Sequence, residues 1–466
     1  MLQARVIWRT AQRTARDSWR GGTAPLVSVV VAVVMVALGA AAMREADTDR
    51  AARDAANRAE RQAWLEQGEK SPHSAAHDGL YLSRPLPPLA WLDRGVDPVV
   101  GALTRLEVHE AVRFDAPPIA ERPVSQRLID ISMGTIWQIL VPLLIGVLVA
   151  TALAREREHG TLAWIAVSGA RTLPIALGVV LGAVAPVAAA MLAVMLPSAA
   201  LMTFQSDSSF WITLGSVVVA HAIWWLMAAS FATVTALRAP STAHALAVVV
   251  VVWVSTVLLA PSLAAGITEA WVPTPSAFEI GERIVRARAA LPSLYERIER
   301  LERETVPADT KLRTPKGRAL LEEEAALNRI ADDVGESLTQ VHHRQQSIRR
   351  WLSVALPVLA IQDVSSRLVG TDVGSLRRFE GEAEAHRRTM VRLLNEAEAE
   401  FGDANAAPFL PAYLAGADVW RRLDEFSSAP SGVQDEPARR WSIGVLVAWT
   451  AVLVAWSGRL AKRWRP

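Results

Sequence analysis

The chain has 466 residues, of which 51% are hydrophobic and 21% are charged. Its mean hydropathy of +0.22 is high for an ordinary soluble protein, and the apolar residues are concentrated in long uncharged runs. The net charge of +2, without a basic stripe away from those runs, argues against nucleic-acid binding as the main function. Cysteine is absent, which excludes disulfides and thiolate metal sites.

Six of the apolar runs are long enough to cross a bilayer, because about 20 residues in a helix match a hydrocarbon core of about 30 Å. The first run ends in Ala40-Ala41-Ala42, a pattern typical of signal-peptide cleavage sites. It is longer than a signal core, so we favour an uncleaved anchor. The runs predict an all-α membrane protein with about six transmembrane helices, at residues 24–43, 131–154, 172–196, 210–237, 242–265 and 441–458.

Basic residues at the membrane ends predict the orientation of these helices. Residues 1–23 carry five arginines against Asp17 alone, and the tail 459–466 is also basic. Positive flanks stay cytoplasmic, so we expect both termini on the cytoplasmic side of a cell inner membrane. The arginine spacing in residues 1–23 also suits an amphipathic helix on the inner leaflet, where anionic lipids would favour it.

Two polar regions then lie outside the membrane, and we name them the first insert (44–130) and the second insert (266–440). We expect both to be mainly helical. In the second insert, apolar residues recur at helical spacing within 280–298, 320–348 and 379–401, which predicts amphipathic helices packed on one another. The apolar stretch 351–361 is about half the length of a span and contains Pro357, so it is not counted as transmembrane.

A charged segment, named here the elbow (155–171), separates the second and third predicted spans. Gly160 and Thr161 interrupt it, and a short amphipathic stretch with Trp164 follows. Such a segment should lie along the membrane surface, with the tryptophan at the headgroups. It opens with charged side chains that cannot stay in lipid, which are Arg155, Glu156, Arg157, Glu158 and His159.

The string RERE-HGTL in the elbow resembles the E-x-E-x-GTL pattern that begins the cytoplasmic loop of ABC-2 type transporter permeases. In that family the short helix at this place docks on the ATP-binding subunit. The resemblance implies that the acids meet basic groups on the ATPase and that the glycine makes the turn. The implied ATPase-coupling residues are Arg155, Glu156, Arg157, Glu158, Gly160 and Thr161. A solvated surface turn without a partner is the simpler alternative.

The first insert carries the string PHSAAH at 72–77 and LEVH at 106–109. Both resemble the exterior segment of a branch of ABC-2 permeases that is catalogued only as a domain of unknown function. The run 382–395 resembles the second exterior region of the same branch. The resemblance implies a permease, as an exporter subunit, paired with a second copy or a paralogue and with two ATP-binding subunits.

The sequence lacks the Walker A pattern, so we expect ATP on the partner chain and no cofactor for hydrolysis on this one. It also lacks HExxH and any other recognisable catalytic set, which disfavours a membrane enzyme. The alternative function is a non-transporting mechanotransmitter or envelope sensor of ABC type. Its second insert would grip an envelope partner.

A metal site is a further hypothesis for the first insert. His73 and His77 are four residues apart, which places both imidazoles on one face of a helix. Glu107 and His109 could complete a nitrogen and oxygen shell for zinc or copper. The alternative is that these histidines only hydrogen-bond across the insert.

Overall fold

The described residues are mainly helical, and they contain one small three-stranded sheet, which lies in the first insert. The computed structural model describes residues 2–20, 23–112, 114–115, 132–167, 171–202, 208–305, 307, 310–403, 413–428 and 436–463. The helices of the amino-terminal half are α1 (Leu2–Arg20), α2 (Thr23–Leu65), α3 (Pro72–Asp78), α4 (Met133–Glu158), α5 (Thr161–Val167), α6 (Thr172–Met202) and α7 (Ser208–Arg238). Those of the carboxy-terminal half are α8 (Thr242–Trp271), α9 (Ala277–Ala289), α10 (Leu294–Glu302), α11 (Pro315–Ala355), α12 (Pro357–Val369), α13 (Val373–Phe401), α14 (Ala417–Trp420) and α15 (Glu436–Arg463).

Five helices within the described residues are long and apolar enough to cross a membrane, namely α4, α6, α7, α8 and α15. The prediction of a helical protein with several candidate membrane spans is therefore confirmed. The remaining predicted span, 24–43, lies within α2, but the side chains of 24–28 fall outside the described set. The count of six spans stays a prediction.

One end of the bundle gathers the segments that the sequence predicts to be cytoplasmic. Glu156 pairs with Arg13 of α1 at 3.1 Å, and Glu158 accepts hydrogen bonds from Thr242 at the start of α8. The hydroxyl of Thr172 donates to the carbonyl of Ala461 near the end of α15. The elbow, α1, the start of α8 and the carboxy-terminal helix end thus share one end of the bundle.

The packing of α1 against α6 explains the G-x-x-x-G spacing of Gly178 and Gly182. A Cβ atom at Gly178 would lie 2.5 Å from Cβ of Thr10, and one at Gly182 would lie 2.4 Å from the carbonyl oxygen of Ala11. Only glycine permits this approach. The amphipathic amino-terminal helix is therefore seated on the bundle as well as suited to a membrane surface.

The opposite end of the bundle carries the two inserts. In the first insert, β1 (Leu80–Ser83), β2 (Leu103–Leu106) and β3 (Phe114–Asp115) form an antiparallel sheet in that order, with Leu80 opposite Leu106 and Leu103 opposite Asp115. These strands are two to four residues long, and the sequence does not predict them, since so short a segment shows no clear alternation.

The second insert follows its predicted periodicity in α11 and α13 but not in the first stretch. The sequence predicts one helical stripe over 280–298, whereas the chain forms α9 and α10 with a break around Pro292. Each begins with a capping box, made by Ser276 with Glu279 and by Ser293 with Glu296. The second serine starts a new helix and so divides the stripe.

The close contact of α11 and α13 gives a stability test. A Cβ atom at Gly317 would lie 2.3 Å from backbone atoms of Ala399, so we expect Gly317→Ala to destabilise the chain by about 1–3 kcal/mol through overpacking. Gly335 lies on the same helix, and a Cβ atom there would have nothing within 4 Å. Gly335→Ala should raise stability by about 0.5–1 kcal/mol because alanine favours helix. Thermal unfolding of the detergent-purified chain measures both, and shifts of the same sign would contradict this packing.

Candidate functional site

The elbow is built on the end of α4. The helix continues through the charged residues as far as Glu158, so it extends beyond the apolar part of the predicted span. Gly160 then adopts φ 74°, a left-handed conformation that glycine accepts without strain. The turn lets α5 begin at Thr161 in a new direction. The predicted elbow residues 168–170 lie outside the described residues.

Both acids of the elbow bind other helices of the same chain. Glu156 lies 3.1 Å from the guanidinium of Arg13, and its side chain is 23% exposed. One carboxylate oxygen of Glu158 accepts from the backbone N–H of Thr242 at 3.2 Å and from its hydroxyl at 2.5 Å. A carboxylate at this helix start satisfies unpaired N–H groups and complements the helix dipole. The acids therefore link α4 to α1 and to α8.

The short helix α5 has one anchored and one open side. Leu162 is 2% exposed and belongs to the bundle core, whereas Trp164 and Val167 are 79% and 77% exposed. A helix anchored in this way presents an apolar side next to the charged turn. This side can contact lipid headgroups or a partner protein.

A second group of side chains lies in the first insert. His73 and His77 are both on α3, and their Nε2 atoms are 3.2 Å apart. His109 follows β2 in a turn, and its ring centroid lies 5.8 Å from that of His73 and 5.3 Å from that of His77. One nitrogen of each ring lies within 4.8 Å of the others. We name these three residues the histidine cluster.

Glu107, the fourth predicted ligand, is not part of the histidine cluster. Its carboxylate pairs with Arg105 at 3.0 Å. The spacing of Glu107 and His109 would place both side chains on one side only in an extended strand. The strand ends at Leu106 and His109 has φ 68°, so the alternation of an extended strand does not continue to His109.

Burial favours the neutral form of His73 and of His109. It lowers the pKa of His73 to about 4, with further lowering by His77, His109 and Lys316. Burial also lowers the pKa of His109, although the Glu324 carboxylate opposes that shift. Imidazoles with lowered pKa values carry no proton on one nitrogen at neutral pH, and that nitrogen can accept a hydrogen bond or bind a metal.

The second insert supports the cluster through a buried ion network. Oε2 of Glu324 on α11 lies 3.8 Å from Nδ1 of His109 and 3.4 Å from its backbone nitrogen. Arg387 on α13 is 1% exposed and donates to Glu324 at 2.7 Å and to Glu384 at 2.9 Å. Burial opposes ionisation of Glu384, but Arg387 and Arg388 outweigh it and hold the pKa of Glu384 below its usual value. The network joins α11, α13 and the turn after β2.

Sequence reasoning does not single out Glu324 or Arg387. Each sits in a charge-rich amphipathic helix, where most such side chains face water. The one sequence feature that distinguishes them is their position, because both lie on the helix face that carries a predicted apolar stripe. Which charges pair across 63 residues depends on the packing of the two helices.

A family model matches residues 305–429. Its description is a domain of unknown function (DUF3526). The matched segment includes Glu324, Arg387 and all of α11 to α14, but neither the elbow nor the histidine cluster. No curated protein and no solved structure matches the chain. The predicted likeness of the second insert to a family of unknown function is confirmed, while the permease identity stays a prediction.

The buried network predicts unequal roles for two adjacent arginines. Arg387→Ala would leave Glu324 and Glu384 without their buried partner, and we expect a loss of about 3–5 kcal/mol. Arg388 is 32% exposed and pairs with exposed Asp332 and with Glu384, which keeps its bond to Arg387, so Arg388→Ala should cost about 0–1 kcal/mol. Thermal unfolding of both variants in detergent measures the difference, and equal losses would contradict the assignment of Arg387.

Proposed function

We propose that this chain is the membrane-spanning permease subunit of an ABC-2 type exporter in the cell inner membrane, driven by a separate ATP-binding subunit. A second permease copy or a paralogue completes the transporter, and both termini face the cytoplasm. The observation that carries the proposal is the elbow. It presents an exposed apolar helix beside charged residues at the end of the bundle opposite the inserts.

The contacts of the elbow support a route for coupling. An ATP-binding subunit that presses on α5 would move α4 directly, because Gly160 joins them by a single turn. It would also move α1 through Glu156 and α8 through Glu158. Nucleotide can shift the permease between two states only by binding one of them better, and a docked elbow supplies such a difference.

We divide the elbow residues between two roles, which are transmission of movement within the chain and contact with the ATPase. Glu156 and Glu158 transmit movement within the chain, since both are bound to other helices. Arg155 is exposed at the same turn and is the charge available to acidic groups on the ATPase. Trp164 and Val167 supply the apolar contact, and Gly160 and Thr161 form the corner from which α5 begins.

The second insert favours the alternative function in one respect. Helix α9 has no buried residue, and its Phe278 and Val285 are 76% and 66% exposed. Transport of a small molecule does not require this apolar surface outside the spans, whereas an envelope partner would cover it. A non-transporting mechanotransmitter that grips such a partner is thus the second candidate. It would use the same ATPase and elbow.

The docking of an ATPase on α5 is tested by co-purification. The native complex is isolated from membranes in mild detergent, and Walker A proteins bound to it are identified by mass spectrometry. We expect Trp164→Asp to reduce the bound ATPase at least tenfold, because exposed tryptophans are frequent hot spots of interfaces. Trp271→Asp is the matched control, since Trp271 is 70% exposed at the far end of α8. Retention of the ATPase by Trp164→Asp would remove α5 as the docking surface.

The coupling route is tested separately from docking. Thr242→Val removes the hydroxyl that donates to Glu158, so we expect normal ATPase binding but a several-fold loss of permease-stimulated ATP hydrolysis. Thr256→Val is the control, because that hydroxyl bonds only within α8, to the carbonyl of Val252. Glu158→Lys should have a larger effect, as it places a cation at a helix start. Unchanged hydrolysis in both Thr242→Val and Glu158→Lys would rule out this link as the route.

A further inference from the structure

The spacing of the histidine cluster matches the geometry of a metal site. Two nitrogens bound to one tetrahedral zinc at about 2.0–2.1 Å lie about 3.3 Å apart. The Nε2 atoms of His73 and His77 are 3.2 Å apart, so they already have this separation. One nitrogen of His109 lies within 4.8 Å of a nitrogen of His73 and of His77, and rotation of the His109 ring would shorten these distances.

The backbone holds His109 in a conformation that side chains rarely adopt. It is the sole non-glycine residue with positive φ in the part of the chain that the structure describes. Strain of this kind costs about 1–3 kcal/mol and is concentrated at ligand sites. Here it directs the third imidazole towards α3.

Glu324 stands where metal sites place a supporting carboxylate. Its Oε2 lies 3.8 Å from Nδ1 of His109, which is longer than a hydrogen bond, and closing this gap would let Nδ1 donate to Glu324 and leave Nε2 for an ion. Ligating histidines commonly give their other nitrogen to a carboxylate, which fixes the tautomer and the ring orientation. Arg387 in turn holds Glu324 in place, because its Nη1 donates to Oε1 of Glu324 at 2.7 Å.

We propose that His73, His77 and His109 bind one zinc or copper(II) ion through three imidazole nitrogens, with the fourth coordination position open. Nitrogen donors suit both ions, and no cysteine is needed. His77 lies on the exposed side of the cluster, so a water or a ligand atom can reach the open position. Metal binding is independent of the transport proposal, because it requires neither the ATPase nor a second permease.

A bound ion would also stabilise the contact between the inserts. His73 and His77 come from α3, whereas His109 lies in the turn that meets α9 and α11. Fixing His109 to α3 fixes its carbonyl, which accepts a hydrogen bond from Arg288. The ion would thereby order the surface on which the second insert rests.

Metal binding is measured on the full chain, purified in detergent with a tag that contains no histidine. Zinc or copper(II) is added, excess is removed by gel filtration, and the retained metal is counted by mass spectrometry. We expect one ion per chain. Cobalt(II), whose visible absorption reports coordination geometry, should give a tetrahedral spectrum. The double variant His73→Ala, His77→Ala should lose at least ten-fold in affinity and lose that spectrum.

The matched control is His342→Ala, His343→Ala, which removes two histidines from α11 away from the cluster. It should retain the ion. If the double alanine variant of the cluster does not fold, His77→Gln tests the same ligand at an exposed position. The proposal is overturned if the wild type retains no stoichiometric metal. It is also overturned if the cluster variants retain as much as the control.

The supporting role of Glu324 has its own variant. Glu324→Gln keeps the shape of the side chain but weakens its interaction with His109, and a ten- to hundred-fold loss of metal affinity is expected. Glu323→Gln, one residue away, should leave affinity unchanged. Equal affinities of the two variants would exclude Glu324 as a positioning residue, and the cobalt spectrum would show whether the three histidines still ligate.

Discussion

The membrane-spanning part of this protein depends on satisfying backbone polar groups where water is absent. Helix α4 contains a π turn at Ile136–Leu140, near its insert end. The carbonyls of Trp137, Gln138 and Ile139 each accept a hydrogen bond from an indole N–H. The donors are Trp225 at 2.9 Å, Trp224 at 3.1 Å and Trp253 at 2.8 Å. These three bonds join α4 to α7 and α8, and they let the irregular turn persist in an apolar setting.

The same turn connects the bundle to both inserts. The side chain of Gln138 donates to Asp93 of the first insert at 3.3 Å, and the hydroxyl of Thr371 in the second insert donates to the backbone of Asp93 at 3.0 Å. Asp93 is buried, and burial raises the pKa of its carboxyl group. At the other end, α4 carries Glu156 and Glu158. Helix α4 is therefore held at both ends by polar contacts, which makes it the natural link between the elbow and the inserts.

Much of the membrane architecture could be predicted from the sequence, because a span is recognised by local composition alone. The five confirmed candidate spans coincide with uncharged runs, and the elbow is visible as a cluster of charges between two of them. Helix α12 is harder to interpret, since 351–361 is too short to span. Val358, Leu359, Ala360 and Ile361 are buried instead against α7 and α15. Its apolar character reflects packing on the outer end of the bundle.

The histidine cluster shows where sequence reasoning stops. The pair on α3 follows from a spacing of four, which depends only on helix geometry. Adding His109 and excluding Glu107 depends on one left-handed residue, and the Glu324 contact joins residues 215 positions apart. The indole contacts of α4 are equally non-local, since they span 86 to 114 residues. Such contacts are set by the fold as a whole.

Helix α2 runs unbroken for 43 residues, about 65 Å at 1.5 Å per residue, from the bundle to the far side of the first insert. Its last turn is anchored to the second insert, because the indole of Trp64 donates to the carbonyl of Trp420 at 3.0 Å and Arg61 donates to the carbonyl of Leu423. A rod of this length acts as a lever arm: a tilt of about 5° at its base would displace its tip by about 6 Å. Small rearrangements among the spans would therefore be magnified where the end of α2 meets the second insert. No hinge within α2 is needed for this.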